Sequence, residues 1–474
     1  MRGVDGQLIA IAGPDGLALW TTAHTRGEDM RTVCDLRLRE GQQVPFVLTY
    51  FPSHGDVGRP VAAQYAIEET TRWWQEWADL ANFHPHRWRG AVVRSLITLK
   101  ALTYGPTGGI IAAPTTSLPE TIGGERNWDY RYCWLRDATL TLLALMNTGY
   151  YDEAKAWRDW LLRAAAGSPA DIQIMYGTAG ERWLPEREAS WLGGYENSKP
   201  VRIGNAAVDQ LQLDVYGELL DSAYLYARFG GEISQELWRE LHPVVDLAIE
   251  RWQLPDASIW ESRGRELHYT YSKMMSWVAV DRGLRLAERF GLRCDRERWE
   301  EARRTIHRTV ATEGYHRGLR SFTQTLGGRT LDAAMLRAAQ VRFLDARDPR
   351  IVSTVRAVAR HLGRGVLVSR YRPEETDDGF DHGEEGAFLM CSFWLADALA
   401  HIGEVEQAQR RFERLISFAS PLGLMAEEAD VTNGDLLGNY PQAFTHLALI
   451  GAAVNIERAR HRRLGIRGLG PTPA

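Results

Sequence analysis

The feature that most constrains the fold of this chain is the alternation of apolar helical segments with long loops. From about residue 85 onward, apolar residues recur at the helical spacing i, i+3, i+4 and i+7 in about twelve segments. Loops of unusual length for a compact domain interrupt them and follow alternate helices. The pattern predicts a mainly α-helical fold in which helical hairpins close into a ring, an (α/α)6 barrel, with the long loops on one rim.

The predicted helices and loops have definite bounds. The helices are expected at 86–104, 133–148, 151–167, 207–230, 234–252, 269–290, 296–312, 330–345, 350–361, 385–402, 404–420 and 441–462. The long loops are expected at 105–132, 168–206, 253–268, 362–384 and 421–440. Because loops positioned by a rigid scaffold often carry function, these loops are where binding and catalytic side chains are expected.

The chain has a different character before residue 65. Short β-type runs (QLIAIAG, LALWTTA, TVCDLRLRE and VPFVLTYFP) alternate there with the turn-forming PDG, RGED and REGQQ. We therefore expect a short, incomplete antiparallel β-sandwich over residues 1–65 and a helical linker over 66–84. The barrel is expected over 85–465, and a disordered tail over 466–474.

Composition excludes several classes of protein. The formal net charge of −5 offers no basic surface to nucleic acid or to an anionic membrane. No apolar run is long enough to cross a bilayer, and the start MRGVDGQLIAIAG lacks the order of a signal peptide. Cys34, Cys133, Cys294 and Cys391 are far apart and have no metal-binding spacing. We expect a cytoplasmic protein with reduced thiols, and homo-oligomerisation is left open.

Two glutamates are candidate catalytic residues. Glu261, in SIWESRGRELHYTYSK, and Glu427, in GLMAEEADVTNGD, each lie in a predicted loop just before an apolar helix. Two carboxylates across a pocket are the minimum equipment for glycoside hydrolysis. Packing against the indole of Trp260 would raise the pKa of Glu261, as a general acid requires. Taken alone, each glutamate fits an ordinary surface acid better than a catalytic residue.

Other loop residues are candidate ligands for a polar substrate. Adjacent Arg136 and Asp137 can bond two neighbouring sugar hydroxyls, although an acid at a helix start also favours the helix dipole. Arg202 and Asn205 offer donors, and Asn205 is equally typical of a helix cap. Two further acidic groups lie before helices: Glu427 with Glu428, and the segment FDHGEEG with His382, Glu384 and Glu385.

Six segments together resemble glycoside hydrolase family 15, the family of glucoamylases and prokaryotic trehalases. They are APTTSLPE, RNWDYRYCWLRDA, KPVRIGNAA-x₃-LQLDVYGE, IWE…YTYSKMMSWVAVDR, GEEGAFLMCSFWL and MAEE…GNYPQAFTHLAL. The resemblance covers nearly the whole chain and implies an (α/α)6 barrel after a β-sandwich. Two of the segments, KPVRIGNAA and GEEGAF, are more similar to the trehalase branch. Ser262 departs from the fungal glucoamylases, in which a second acid follows the general acid.

The resemblance also implies roles for individual residues. It makes Glu261 the general acid and Glu427 the general base. The side chains implied to hold the non-reducing glucose are Tyr130, Trp134, Arg136 and Asp137, and Trp260 is implied to line the cleft beside the acid. No metal or organic cofactor is implied. Arg202, Glu384 and Glu385, on loops of the same rim, are expected to meet the second sugar, and Glu428 is expected to contribute to binding.

The expected function is that of an inverting, exo-acting α-glucoside hydrolase that releases β-D-glucose, with trehalose as substrate. A glucoamylase-type activity on maltose, isomaltose or short α-glucans is the alternative. An α-glucoside phosphorylase is a remoter alternative, because a carboxylate at Glu427 would repel phosphate. A non-catalytic glycan-binding protein would have no need of both glutamates.

Overall fold

The computed structural model describes residues 2–4, 7–29, 31–83, 87–380 and 385–464. The chain forms two compact units, Met1–Leu80 and Ala81–Ala474. None of the helices in the described ranges combines the length and the apolar character that crossing a bilayer requires. The four cysteines are unpaired, and Cys133 and Cys391 are buried.

The first unit contains strands and one helix. The strands are β1 (Arg2–Val4), β2 (Gln7–Ala12), β3 (Asp15–Thr21), β4 (Arg26–Glu28), β5 (Arg31–Val33) and β6 (Phe46–Pro52). An antiparallel four-stranded sheet has the order β1-β2-β3-β6, and β4 pairs with β5. Helix α1 (Ala63–Asp79) follows. The predicted β run TVCDLRLRE is strand only to Val33, because the charged residues after it have no strand partner among the described residues.

The second unit contains most of the helices and short strands that join its loops. The helices are α2 (Arg89–Ala101), α3 (Ala138–Asn147), α4 (Tyr151–Ala165), α5 (Asp214–Arg228), α6 (Gln235–Arg251), α7 (Thr270–Phe290), α8 (Arg296–Glu313), α9 (Pro349–His361), α10 (Leu389–His401), α11 (Val405–Leu415) and α12 (Ala443–Arg463). The strands are β7 (Cys133–Trp134), β8 (Met175–Tyr176), β9 (Arg187–Glu188), β10 (Arg202–Ile203), β11 (Tyr315–His316), β12 (Ser321–Phe322), β13 (Gly363–Arg364), β14 (Leu367–Val368), β15 (Ala387–Phe388), β16 (Glu428–Ala429) and β17 (Leu436–Leu437).

The helices of this unit contact one another in a closed succession. Helix α3 packs against α5, α5 against α7, α10 against α12, and α12 against α3. The 3-10 helix Ala333–Ala338 contacts both α7 and α10 and closes the remaining gap. Helices α7 and α10 are buried along nearly their whole length, whereas α8 and α11 bury a single apolar face. Helices α7 and α10, with the other helices of the closed succession, therefore form the interior of the unit.

The helix predicted over 330–345 is wrong, because only the 3-10 helix Ala333–Ala338 forms there. The Asp332 side chain accepts the Ala334 amide at 2.8 Å, and the Ala333 amide donates to the carbonyl of Arg370. The first backbone amides of this segment are therefore used, one by the helix cap and one by a bond to a neighbouring loop. At the other end Arg342 has a φ of +58°, which stops helical geometry.

Short strands hold the long loops together above the amino ends of the interior helices. Strand β7 pairs with β8, and β15, β16 and β17 form one small sheet. That sheet joins the loop before α10 to the loop before α12, and the Leu389 amide donates to the carbonyl of Glu427 at 3.0 Å. The loops are thereby fixed as one surface above the interior helices.

Candidate active site

Glu261 lies on a tight turn in the loop between α6 and α7. Glu261 and Ser258 both have left-handed backbone geometry, with φ values of +57° and +69°. The Glu261 amide donates to Ser258 O at 3.1 Å, and the Ser262 amide donates to Ala257 O at 2.9 Å. Such geometry is costly for residues other than glycine and is concentrated at functional sites, which supports a role for Glu261.

One oxygen of Glu261 is tightly held, and the other is not. The indole Nε1 of Trp134 donates to Oε1 at 2.6 Å, and Nη1 of Arg136 donates to the same atom at 2.9 Å. Oε2 accepts no hydrogen bond from the residues that the structure describes. The indole that contacts Glu261 thus belongs to Trp134. Trp260 instead donates its Nε1–H to Asp332 at 2.9 Å.

Glu427 is buried, with 2% of its surface exposed, in the loop before α12. Its Oε1 accepts hydrogen bonds from the Tyr130 hydroxyl at 2.8 Å and from Nε2 of Gln442 at 3.1 Å. Its Oε2 is buried without a partner. Burial raises the pKa of Glu427 to about 7, although the Tyr130 bond and the charge of Arg370 oppose the rise. Glu427 therefore has one fixed oxygen and one free oxygen.

A single cavity brings the two glutamates together. Glu261 and Glu427 both line it, as do Tyr130, Arg136 and Trp260. The rings of Tyr130 and Trp134 meet edge to face with centroids 5.4 Å apart, so the donors of the two carboxylates contact each other. The cavity thus presents two carboxylates on an aromatic and cationic wall, as a sugar-cleaving site requires.

Asp137 and Trp134 lie directly behind this wall and do not line the cavity. Asp137 is buried and forms an ion pair with Arg136, with Oδ1 3.4 Å from Nε. Burial raises the pKa of Asp137 to about 6, against the lowering effect of Arg136. In the described geometry Asp137 fixes the guanidinium of Arg136, which itself faces the cavity.

The two candidates from the loop 168–206 have different positions. Arg202 does not line the cavity. Its Nη1 donates to the carbonyls of Glu125 and Asn127 at 2.7 and 3.0 Å, and its guanidinium lies 4.5 Å from the ring centroid of Trp128. Arg202 therefore braces the loop 105–132. Asn205 lines the cavity and also caps the 3-10 helix Ala206–Asp209 by accepting the Ala207 amide at 3.0 Å.

A buried acidic cluster lies beside Glu427. Carboxylate oxygens of Glu120, Glu385 and Glu428 all lie within 4.8 Å of one another, so the three could hold a metal ion. Arg370 already places a positive charge there through ion pairs with Glu385 and Glu120. Neither oxygen of Glu428 has a partner, and burial raises the pKa of Glu120 and Glu428 well above the usual range. The candidates His382 and Glu384 lie outside the described residues.

Sequence reasoning missed several residues that line the cavity. They are Glu120, Arg126, Arg370, Asp378 and Gln442. Arg126 and Asp378 form an ion pair at 2.9 Å, with the guanidinium of Arg126 4.8 Å from the ring centroid of Phe380. The motifs and the long loops could have identified four of these residues. Glu120 lies in APTTSLPE, Gln442 in GNYPQAFTH, and Arg370 and Asp378 in the long loop 362–384.

A family model and curated relatives both match most of this chain. The model of "Glycosyl hydrolases family 15" matches residues 86–454. The chain is 46% identical over 463 residues to the trehalase of Mycolicibacterium smegmatis, covering 96% of this chain and 69% of that protein. It is 38% identical over 399 residues to the trehalase of Thermoplasma acidophilum, covering 84% of this chain and 68% of that protein.

Solved structures share the fold at low sequence identity. A bacterial glucoamylase complexed with acarbose superposes with a TM-score of 0.71 at 15% identity, over 95% of this chain and 73% of that chain. The glucoamylase of Saccharomycopsis fibuligera superposes with a TM-score of 0.57 at 13% identity, over 78% of this chain and 94% of that chain. These likenesses concern the fold alone.

Proposed function

Because the chain belongs to glycoside hydrolase family 15, we propose that it is an inverting, exo-acting α-glucoside hydrolase whose substrate is trehalose. The observation that carries the proposal is the shared cavity of Glu261 and Glu427, in which each carboxylate has one oxygen held and one oxygen free. The trehalase name of the Mycolicibacterium smegmatis relative, across 96% of this chain, supports trehalose over other α-glucosides.

The fold that we propose for the catalytic unit is an (α/α)6 barrel. The closed succession of interior helices supports it, with the 3-10 helix Ala333–Ala338 standing where a sixth interior helix is expected. The likeness to the bacterial glucoamylase, at a TM-score of 0.71, is consistent with this architecture. The strands of the first unit are proposed to be part of a β-sandwich.

In the proposed reaction, Glu261 in its protonated form donates a proton from Oε2 to the glycosidic oxygen as the bond to the anomeric carbon breaks. A water molecule attacks that carbon from the opposite face, and Oε2 of Glu427 accepts a proton from this water. One displacement inverts the anomeric carbon, so the glycosyl half leaves as β-D-glucose. The ionised carboxylate of Glu427 stabilises positive charge on the oxocarbenium-like transition state.

Two groups of side chains are proposed to bind the two sugars. Arg136, fixed by Asp137, and Tyr130 hold the ring that is cleaved, and Trp134 orients the acid beside it. Arg126 and Arg370, with the carboxylates paired to them, offer charged partners to the hydroxyls of the second ring. Arg202 acts through the loop that it braces, since it does not line the cavity.

The alternative is a glucoamylase-type specificity, because glycoside hydrolase family 15 includes glucoamylases as well as trehalases. Glucose release from trehalose, maltose, isomaltose and maltotetraose, measured side by side with and without phosphate, separates the possibilities. The proposal predicts that trehalose is the best substrate and that no glucose phosphate appears. Faster cleavage of maltotetraose would establish the glucoamylase-type activity, and phosphate-dependent formation of glucose phosphate would establish a phosphorylase.

A further inference from the structure

A second cavity, of about 930 Å³, lies at the other end of the interior helices from the catalytic residues. Asn147 and Arg228, the last residues of α3 and α5, line it, and so does His401 at the end of α10. The catalytic side chains instead lie before the amino ends of these helices. The lining of the second cavity also reaches Thr139 near the start of α3, but the two cavities have no lining residue in common.

The walls of this second cavity are strongly basic. They carry nine arginines and two aspartates, in a chain whose formal net charge is −5. One aspartate, Asp221, is already engaged with Arg282 at 2.6 Å. Four of the arginines form no ion pair with a carboxylate in the ranges that the structure describes: Arg228, Arg347, Arg458 and Arg462. The cavity therefore holds an excess of positive charge that the described side chains do not neutralise.

Arg228 shows most directly that an acceptor is missing. Its Nη2 is buried without a hydrogen-bond partner. Burial, together with the nearby charges of Arg342 and Arg282, lowers the pKa of Arg228 to about 10 against the opposing effect of Tyr224. A buried charged donor without an acceptor is costly, so an anion placed here would satisfy a bond that the protein leaves open.

Part of the cavity lining is apolar. Leu447, Ile450 and Val454 on α12 line the cavity, Arg458 and Arg462 follow them on the same helix, and the ring centroid of Tyr224 lies 5.6 Å from the guanidinium of Arg228. A bare inorganic anion would leave this surface and most of the volume unused. A volume near the upper end of the usual range for small-molecule sites suits a ligand with an organic body.

We infer that this second cavity binds an organic phosphate, with the phosphate group on Arg228 and on other arginines of the lining, and the organic body against the apolar lining residues. Arginine suits this role because its planar guanidinium can donate two parallel hydrogen bonds to one phosphate. The site is separate from the catalytic cavity, so its occupancy does not require that Glu261 or Glu427 be free.

Titration calorimetry with phenyl phosphate as the probe tests the inference on the full chain. We expect binding with a Kd below about 1 mM and weaker binding of inorganic phosphate. Arg228→Gln should weaken phenyl phosphate binding about tenfold or more. Arg347→Gln, at an exposed lining position, should weaken it in the same direction and serves if Arg228→Gln does not fold. Arg360→Gln removes the same charge from an exposed site outside the cavity and should leave binding unchanged.

Glucose in excess, as the product of the proposed reaction, should not displace the probe. Displacement by glucose would place the probe in the catalytic cavity and overturn the inference. Failure of phenyl phosphate to bind the wild-type chain, or equal binding by the Arg347→Gln and Arg360→Gln variants, would overturn it as well.

Discussion

The hydroxyl of Tyr130 donates a hydrogen bond of 2.8 Å to Oε1 of Glu427. This bond holds one oxygen of the carboxylate, and the other, Oε2, is buried. It also lowers the pKa of Glu427, although burial outweighs it and the pKa remains at about 7. Tyr130 therefore both orients the proposed base and helps to keep it ionised.

The dependence of kcat on pH follows from this bond. A base must be ionised, so activity should be lost as the pH falls through about 7, the pKa of Glu427. Tyr130→Phe removes a bond that favours the carboxylate, so the pKa should rise and the acid limb of the profile should move to higher pH. We also expect kcat at its optimum to fall, by about tenfold.

The same pH profile checks the assignment of roles. If activity is instead lost as the pH rises through 7 and this limb moves with Tyr130→Phe, Glu427 is the acid and the roles of the two glutamates are reversed. A profile that does not move in Tyr130→Phe would show that Glu427 does not set either limb.

Glu427→Gln tests the base directly. The amide cannot accept a proton from water, so kcat should fall by about 10²–10⁴-fold while the fold and sugar binding persist. Azide should restore part of the rate, because it attacks without a base. Glu266→Gln, at an exposed position in the loop of Glu261, is the matched control and should keep full activity. Unchanged kcat in Glu427→Gln would move the base elsewhere, with Glu428 the first suspect.

Substitution of Gly438 tests whether kcat depends on the position of the Glu427 carboxylate. A Cβ atom at Gly438 would lie 2.6 Å from Oε2 of Glu427, so Gly438→Ala must displace that carboxylate. Gly434, in the same loop, also has a positive φ, but a Cβ there meets nothing closer than 3.5 Å. We expect both substitutions to cost about 1–2 kcal/mol of stability through backbone strain. Only Gly438→Ala should lose most of kcat, and equal activity of the two variants would contradict the account.

Asp137 and Glu385 should affect substrates in different ways. Asp137→Ala releases Arg136, which faces the ring common to all α-glucosides, so kcat/KM should fall for trehalose and maltose alike. Glu385→Gln disturbs Arg370, proposed to meet the second sugar, so it should change the ratio of the two kcat/KM values. Steady-state kinetics on both disaccharides measure this. A change of ratio in Asp137→Ala without a general loss would disprove the division into two subsites.

The sequence predicts the helical repeat well because each helix buries an apolar face or its whole length, and burial leaves a periodic pattern. It fails at 330–345, where the bonds from Asp332 to Ala334 and from Ala333 to Arg370 decide the conformation. The first bond is a local cap and the second joins residues far apart in the sequence, and neither leaves a periodic pattern. Recognising the family motifs placed Glu261 and Glu427 in the site, and the structure adds the geometry around them.

Family motifs also have limits in this chain. Trp260 lines the cavity, but the indole that bonds Glu261 is that of Trp134, and Arg202 braces a loop outside the cavity lining. Trp134 and Tyr130, which donate to Glu261 and Glu427 respectively, lie far from them in the sequence. Which side chain faces a cavity depends on such distant packing, and spacing along the chain does not reveal it.

The anomeric form of the glucose released from trehalose tests the central claim most directly. Proton NMR during the first turnovers should show β-glucose and α-glucose in equal amounts. The cleaved ring is inverted by water, whereas the leaving ring keeps its own α configuration. The claim further requires the carboxyl groups of Glu261 and Glu427 to lie about 6.5–9.5 Å apart, with room for that water. Release of α-glucose alone would show retention and would contradict the proposed roles of both glutamates.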